Sequence, residues 1–492
     1  MNKILVIGGG VSGLTAGIYA GLNGFSAVIC EKHSVAGGNL TGWQRGNYHV
    51  DNCIHWLTGT NEHSKTYEMW KELGALGNVG IRKNDSLYTC ESDGRELTLY
   101  RDLARLERDM LELSPADERE IKKLIRAVRT VQSMSGIAGE GHNEKMKLSD
   151  ALRVPVLYEY FSKSAGQLAE NFRHPLIRTF ITALISEKFM SLALVIIIAN
   201  FCADNGDLPE GGSLPMAERM CERFKSLGGE IRLGCKAVRM ERSGDGMTVT
   251  FSDGSSESAD YVISAIEPSL TYGMLGIPLS KKFCTMEENK RLLRFSSVHT
   301  AFSCELENLP FKSDMIFDLP KRYAEPLRSD RLLVREFSHE RSFAPDGKSI
   351  IQTMTVCGKD ECMGYIRLNE DRASYEDRKV LISETVKEAL ESKFRDLRGK
   401  ITCIDVWTPA TYKRFTGAET GSFMSFAFSG GYIPKKIDNR VKGFENVILA
   451  TQWLRLPGGL PNAAESGREA VETIMKIEKS RAVKAKLSAA LF

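Results

Sequence analysis

The sequence predicts an α/β fold for the domain that contains both ends of the chain. With the mixed sheet and helices of the middle segments, the chain as a whole is expected to be α+β. Three patterns predict this class: a strand, a glycine-rich turn and a helix open the chain, helical periodicity dominates residues 102–201, and extended runs alternate with helices over residues 275–405. A second strand, turn and helix follow residue 447. The 492 residues suffice for two or three domains. We therefore expect a parallel-sheet domain interrupted by segments of different architecture.

Charge and cysteine content narrow the possible partners. The 66 Lys and Arg residues oppose 63 Asp and Glu, a net charge of +3, whereas nucleic-acid binding needs clustered excess positive charge. The eleven cysteines form no C-x-x-C pair, which predicts free thiols, a reducing cytoplasmic compartment and no metal site. The strongest internal apolar run, residues 192–201, is about half as long as a bilayer crossing requires.

The opening segment carries the strongest local pattern. Residues 3–7 predict a strand, and residues 14–20 have the apolar spacing of a helix. Between them Gly8 permits a tight turn, Gly10 lets the backbone approach a pyrophosphate, and Gly13 lets the helix and strand pack closely. The helix would direct unpaired N–H groups and its positive dipole end at the phosphates. The segment is therefore predicted to bind a dinucleotide.

A second predicted strand, residues 26–30, ends at Glu31. The Glu31 carboxylate is placed to accept hydrogen bonds from a ribose diol. The alternative is a glycine-rich turn in an ordinary βαβ unit, but the strand, the helix and the acid together disfavour it. From these residues alone the dinucleotide can be NAD or FAD.

The residues after Glu31 favour FAD. Gly37 and Gly38, followed by Asn39, resemble the ExxxxxGG element of FAD enzymes of the amine oxidase and phytoene desaturase superfamily. Residues 48–56, YHVDNCIHW, are similar to an element of the retinol saturase branch of the phytoene desaturase family. The resemblance implies a Rossmann-like FAD-binding domain. Many members carry Arg where this chain has Asn39.

The C-terminal motifs resemble the flavin-ring end of the FAD site in phytoene desaturases, carotenoid isomerases and retinol saturases. Residues 447–453 predict a strand, residues 457–461 a turn, and residues 466–470 a helix. The resemblance implies that a helix start at about Asn462 stabilises the negative charge of reduced flavin near N1 and O2. Gln452 stands where many relatives carry an acid that contacts ribityl or phosphate, and its amide can donate and accept.

The motifs and the resemblance together give the candidate site. The residues expected to contact FAD are Gly8, Gly10, Ser12, Gly13, Glu31, Lys32, Gly37, Gly38, Asn39, Val238, Gln452, Gly458, Pro461 and Asn462. Val238 is included because the resemblance implies a backbone contact with adenine at its position. His55 is the candidate proton donor or substrate contact, and a packed, hydrogen-bonded histidine is the alternative.

The resemblance also implies an FAD-binding domain built from three separate segments and a discontinuous substrate domain made of a mixed sheet and a helical insertion. The FAD-binding domain is expected to comprise residues 1–75, 206–272 and 406–475. Residues 76–205 are expected to form the helical substrate insertion, residues 273–405 the substrate-domain sheet, and residues 476–492 a basic tail. The tail is expected to be a solvated or frayed helix end, with peripheral membrane contact as the alternative.

These features predict an FAD-dependent oxidoreductase that desaturates, saturates or isomerises a carbon–carbon bond of a small hydrophobic, isoprenoid or polyene substrate. The expected chemistry is hydride transfer at flavin N5, which needs mainly orientation and a dry pocket. The apolar helices of residues 174–201 could wall a tunnel for such a substrate. A flavin amine oxidase and a non-catalytic flavin-binding subunit are the alternatives.

Overall fold

The computed structural model describes residues 2–134, 153–311, 314–435 and 437–490, with side chains up to residue 483 in the last range. Within these ranges the strands form six sheets. The two largest sheets determine where the functional site lies.

The strands have between two and ten residues, and the two strands of ten residues lie in the second half of the chain. In chain order they are β1 (Lys3–Ile7), β2 (Ser26–Cys30), β3 (Gly42–Arg45), β4 (Tyr48–Asp51), β5 (Leu57–Thr58), β6 (Ile81–Arg82), β7 (Ser86–Ser92), β8 (Arg95–Tyr100), β9 (Gly206–Pro209), β10 (Glu230–Arg232), β11 (Ala237–Ser243), β12 (Gly246–Phe251), β13 (Ser256–Ala259), β14 (Tyr261–Ser264), β15 (Leu292–Leu293), β16 (Phe295–Cys304), β17 (Asp314–Asp318), β18 (Arg331–Glu336), β19 (Ser349–Gly358), β20 (Ile401–Trp407), β21 (Ala427–Phe428), β22 (Arg440–Val441) and β23 (Phe444–Leu449).

The helices lie between these strands and at the C-terminal end. In chain order they are α1 (Val11–Leu22), α2 (Lys65–Glu72), α3 (Leu103–Leu113), α4 (Glu118–Ser133), α5 (Val154–Ser162), α6 (Ala165–Ala169), α7 (Pro175–Ala183), α8 (Leu192–Phe201), α9 (Ser213–Ser226), α10 (Pro268–Met274), α11 (Lys281–Glu288), α12 (Lys321–Leu327), α13 (Lys359–Leu368), α14 (Arg372–Lys393), α15 (Pro409–Thr416) and α16 (Leu460–Ala490).

The first large sheet joins both ends of the chain. Its six strands have the order β10-β2-β1-β14-β23-β22, and the first five are parallel. Helices α1 and α16 pack against each other so closely that a Cβ at Gly467 would lie 2.4 Å from the Ser12 carbonyl oxygen. The predicted fold class is confirmed: a Rossmann-like sheet is assembled from separate stretches of sequence.

The second large sheet has seven strands in the order β20-β16-β19-β18-β17-β7-β8 and is mixed, because β17 pairs with β7 in parallel. Strands β7 and β8 belong to the predicted 76–205 insertion, so that insertion is not helical throughout. Its helices α4, α7 and α8 share one buried apolar core with a face of this sheet. The division of the chain into six segments stays a prediction.

Helix α16 continues without a break past residue 475, where the last FAD-binding segment was expected to end. Ile477 packs against the core of the parallel sheet. Arg481 Nη1 donates to the Tyr261 hydroxyl at 2.8 Å, and that hydroxyl also bonds to the Glu478 carboxylate. Residues up to Arg481 are therefore tied to the sheet. The side chains of 484–490 and residues 491–492, which complete the predicted basic tail, lie outside the described residues.

Candidate functional site

One large cavity, of about 1950 Å³, is lined by both large sheets and by the apolar helices. It exceeds the range of roughly 300–1,000 Å³ that is usual for one small ligand. The predicted site residues that line it are Gly8, Gly10, Ser12, Glu31, Lys32, Gly37, Gly38, Asn39, His55, Val238, Gln452, Gly458, Pro461 and Asn462. The fold thus brings residues from both ends of the chain to one chamber.

Gly13 does not line this cavity, and its position explains why the residue is small. A Cβ at Gly13 would lie 1.9 Å from the Gly8 carbonyl oxygen, so a larger residue would force α1 away from β1. Gly8 itself has a φ of +99°, which forms the tight turn between the two elements. Gly13 therefore acts through packing, as its place in the motif predicts.

The start of α1 leaves an open space beside unpaired N–H groups. Gly10 precedes the helix without a side-chain cap, and the first turn contains no acidic residue. A Cβ at Gly10 would meet nothing closer than the Gly38 Cα at 3.8 Å. A helix N-terminus of this kind, with a positive dipole end and free donors, suits a pyrophosphate.

Glu31 is buried and organises the loop that follows β2. Its carboxylate accepts hydrogen bonds from the backbone N–H of Gly9 at 2.7 Å and of His33 at 2.9 Å. A carboxylate accepts about four hydrogen bonds, so it retains capacity toward the cavity for a ribose diol. The Lys32 ammonium donates to the Arg414 carbonyl at 3.1 Å, which fastens the loop to α15.

Asn39 and Gln452 meet at one carbonyl group. Asn39 Nδ2 and Gln452 Nε2 each donate to the Phe423 carbonyl oxygen at 3.1 Å. Gln452 Oε1 also accepts from the Gly459 N–H at 3.2 Å. These bonds tie the opening motif to the C-terminal turn, so both amides position the cavity wall. The contact expected between Gln452 and ribityl or phosphate stays a prediction.

The expected helix start at about Asn462 is two residues too late. Helix α16 begins at Leu460, because the Gly459 carbonyl accepts from the Ala463 N–H at 2.9 Å and closes the first helical turn. Asn462 is already inside that turn, where its side chain donates to the Gly458 carbonyl at 2.7 Å. The N-terminal end of the helix still lines the cavity.

His55 lines the cavity and is partly exposed to it. Among the described residues no protein group is hydrogen-bonded to either ring nitrogen, and the role of His55 as proton donor, substrate contact or packed histidine stays a prediction. Burial, and then the charge of Arg335, hold the pKa of His55 well below its usual range. The ring is therefore neutral near pH 7.

The sequence analysis missed a polar cluster beside His55. The Trp407 indole N–H and the Tyr412 hydroxyl both donate to Asn52 Oδ1 at 3.0 Å. His299 Nε2 lies 3.2 Å from the Tyr412 oxygen and 2.6 Å from the Ser297 oxygen. Asn52 lies inside the 48–56 motif, but His299 sits in a strand that is buried along its length, with no local pattern to mark it.

The charge behind this cluster belongs to Arg335. Its Nη2 donates to the Ile54 carbonyl at 2.8 Å, and its Nε lies 3.3 Å from Asp314 Oδ2. Burial lowers the pKa of His299 to about 3, and Arg335 adds to the effect. Burial raises the pKa of Asp314 to about 6, although Arg335 opposes that shift. Both histidines at this wall are therefore neutral near pH 7.

Charged and polar side chains such as Arg45, Asp405 and Asn200 also line the cavity, and one large part of its wall is apolar. Its lining comes from α5, the segment between α7 and α8, α8 itself, and the sheet face opposite. The apolar residues are Phe161, Leu184, Ile185, Phe189, Leu192, Ala193, Ile196, Ile197, Phe295, Leu333, Met354, Val356 and Phe428. A cavity lined by these side chains favours an apolar ligand.

The glycine turn between β1 and α1 lies at the carboxyl edge of a parallel sheet and opens into a cavity with an apolar wall. This combination is typical of a dinucleotide-dependent oxidoreductase. The model of the flavin-containing amine oxidoreductase family matches residues 11–475, and the chain belongs to that family. The protein is an FAD-dependent oxidoreductase, and the family predicted from the sequence is confirmed.

Curated relatives span most of the chain at low identity. The 4,4'-diaponeurosporene oxygenase of Staphylococcus haemolyticus is 21% identical over 507 residues, covering 97% of this chain and 98% of the relative. The chloroplastic prolycopene isomerase of Arabidopsis thaliana is 22% identical over 451 residues, covering 85% of this chain and 73% of the relative.

Solved structures support the fold. An oxidoreductase from Methanosarcina mazei has a TM-score of 0.62 and 15% identity, and covers 96% of this chain and 100% of its own. A putrescine oxidase redesigned in its cofactor binding has a TM-score of 0.58 and 14% identity, with 96% and 99% coverage.

The residues present fit FAD. The open space at Gly10, the spare acceptor capacity of Glu31 and the helix start at Leu460 suit a pyrophosphate, a ribose and a flavin ring respectively. The described side chains include no group of three or more His, Cys, Asp or Glu that could hold a metal ion. Across the ranges that the structure describes, no helix has the length and apolar character needed to cross a bilayer.

Proposed function

We propose that the enzyme acts on a carbon–carbon bond of a hydrophobic, isoprenoid or polyene-like substrate. The observation that carries this proposal is the apolar chamber, in which Phe, Ile, Leu and Met side chains line the same cavity as the FAD-site residues. The names of relatives that act on carotenoids support it at 21–22% identity. When bound, FAD supplies hydride transfer.

The residues of the chain bind the substrate, orient it and exclude water from the cavity. Helix α8 presents Ile196 and Ile197 to the chamber, which excludes water from an apolar guest. The linked amides of Asn39 and Gln452 hold the wall between the two motifs in one geometry. Such placement of two reactants accounts for much of the rate in reactions that need orientation more than acid–base chemistry.

An assay on the purified holoenzyme tests the proposal. The protein should be yellow, with flavin absorbance at about 450 nm. We expect polyenes to be converted to products whose mass differs by two hydrogens for desaturation or saturation, or is unchanged for isomerisation. With aliphatic amines the enzyme should release no hydrogen peroxide. Peroxide release with amines and no conversion of any polyene would identify an amine oxidase instead.

A further inference from the structure

Two cysteine thiols lie side by side at the carboxyl edge of the parallel sheet. Cys30 is the last residue of β2, and Cys235 follows β10, the strand that pairs with β2. The Cys235 N–H donates to the Glu31 carbonyl at 2.8 Å, which holds the segment after β10 against the end of β2. Both side chains pack into one apolar cluster, and the two thiols are hydrogen-bonded to each other. The fold thus joins thiols that are far apart in the sequence.

Both thiols line the cavity that holds the predicted FAD-binding residues. Cys30 directly precedes Glu31, and Cys235 directly precedes Lys236, and both of these neighbours line the cavity as well. Val238, whose backbone is expected to contact adenine, lies three residues beyond Cys235. A covalent change at the two thiols would therefore act on the adenosine end of the cofactor site.

A second pair of neighbouring cysteines shows that proximity is not the distinguishing feature. Cys362 Sγ donates to the Cys357 carbonyl at 3.7 Å, and the two residues are 0% and 4% exposed. Neither of them lines the cavity. An oxidant that enters the cavity meets Cys30 and Cys235, whereas Cys357 and Cys362 are enclosed by the core.

The two thiols at the cavity differ in reactivity. Cys235 is partly exposed, and the positive charges of Arg232 and Lys236 lie near it. Such an environment favours the thiolate, which is the reactive form of cysteine. Burial, and then the neighbouring Cys235, raise the pKa of the Cys30 thiol to about 12. Cys235 should therefore react first with an oxidant, and Cys30 second.

We infer that Cys30 and Cys235 form a reversible disulfide that responds to peroxide and lowers the affinity for FAD. The Cys235 thiolate attacks hydrogen peroxide, so that an S–O bond forms, the O–O bond breaks, and the hydroxide released takes up a proton to become water. The Cys30 sulfur then attacks the sulfenic sulfur of Cys235. An S–S bond forms, the S–O bond breaks, and hydroxide leaves with the Cys30 proton as a second water. The two thiols are oxidised, the peroxide is reduced, and a low-molecular-weight thiol reverses the step by exchange.

The expected loss of FAD follows from the geometry. A disulfide holds two sulfur atoms much closer together than a hydrogen bond does, so its formation would pull the segment after β10 toward the end of β2. Glu31 and Val238 line the cavity on these two segments. We expect the affinity for FAD to fall at least tenfold. Because coupling between two sites is reciprocal, saturating FAD should favour the dithiol by the same factor, which is about 30 mV in its reduction potential.

Peroxide treatment of the holoenzyme tests the inference without an activity assay. The protein is exposed to hydrogen peroxide, free thiols are alkylated, and tryptic peptides are analysed by mass spectrometry. We expect a cross-link between peptides 4–32 and 233–236, each of which contains one cysteine. FAD should be released in parallel, as followed by its fluorescence, and should bind again after a thiol reductant is added. Cys357 and Cys362 should remain thiols.

Cys235→Ser separates oxidation of this pair from other damage, because it removes the partly exposed thiol and keeps a residue of similar size. It should form no cross-link and should retain FAD under peroxide. Cys221→Ser is the matched control, since Cys221 is also partly exposed but does not line the cavity, and it should respond as the wild type does. Absence of the cross-link, a cross-link without loss of FAD, or equal loss of FAD from Cys235→Ser would overturn the inference. The proposed function concerns the substrate, so it would stand in each of these cases.

Discussion

Two glycines of the opening motif have different physical roles, and substitution separates them. In Gly10→Ala the added Cβ meets no atom closer than 3.8 Å and fills space that suits the pyrophosphate. We expect the apoprotein to keep its stability and FAD affinity to fall at least tenfold, about 1.4 kcal/mol. Thermal unfolding of apoprotein and titration by flavin fluorescence measure the two effects.

Gly13→Ala provides the contrast at the same motif. Its Cβ would lie 1.9 Å from the Gly8 carbonyl oxygen, so we expect a loss of stability of roughly 1–3 kcal/mol or more before any cofactor is added. If Gly10→Ala lowered apoprotein stability as much as Gly13→Ala, the assignment of Gly10 to cofactor binding and Gly13 to packing would be wrong.

The low pKa of His299 predicts that the free energy of unfolding decreases as the pH falls. Its folded-state pKa of about 3 lies below its usual value of 6.5, so between these values the unfolded chain binds the proton and stability is lost as pH falls. From pH 6.5 to 4.5 this costs roughly 2 kcal/mol. Urea unfolding should show the wild type losing that much relative to His299→Gln, because groups common to both proteins cancel. Parallel pH profiles would contradict the assignment.

At the scale of elements, α8 forms part of the apolar wall of the chamber. Ala193 lines the cavity from this helix, so Ala193→Trp should fill the chamber, lower polyene affinity at least tenfold, about 1.4 kcal/mol, and leave FAD affinity unchanged. Val380→Trp is the matched control, since Val380 is 53% exposed on α14. Loss of FAD together with the polyene would show that α8 supports the cofactor rather than the substrate.

The end of α16 is a second element whose role can be tested. The contacts of Ile477, Glu478 and Arg481 tie the helix to the sheet, so a truncation at 476 would damage the fold and obscure any membrane effect. Removal of residues 484–492 spares these contacts. We expect the full and shortened chains to float equally with liposomes, as a solvated helix end would. Reduced flotation of the shortened chain would favour peripheral membrane contact.

At the scale of the whole molecule, FAD should stabilise the fold, because its site draws on stretches of sequence that are far apart. Glu31 and Leu460 line one cavity although more than four hundred residues separate them. At a free FAD concentration of about 1,000 Kd the gain is about 4 kcal/mol, which for a chain of this length raises Tm by about 4 °C. Differential scanning with and without added FAD measures it. An unchanged Tm at saturating FAD would contradict this prediction.

The prediction of the fold succeeded where local patterns sufficed. The opening strand, turn and helix have a period and a glycine spacing that few other structures share, and β1, α1 and β2 are where the sequence predicted them. The ends of the elements were predicted less accurately. Helix α16 begins at Leu460 rather than at about Asn462, because the Ala463 N–H donates a hydrogen bond to the Gly459 carbonyl. The placement of β7 in the second sheet depends on pairing with β17, more than two hundred residues away.

The sequence by itself determined that the chain binds a dinucleotide, because a glycine turn, a helix start and a ribose carboxylate act through groups that are neighbours along the chain. The choice of FAD came from the resemblance of the residues after Glu31 to a known family. Only the tertiary structure decided which polar groups meet at the wall of the cavity. Asn52 and Tyr412 are 360 residues apart, and Asn52 and Trp407 are 355 apart. Burial then decides that His299 is neutral. Long-range pairing and desolvation leave no local periodicity, since they arise from the packing of distant segments.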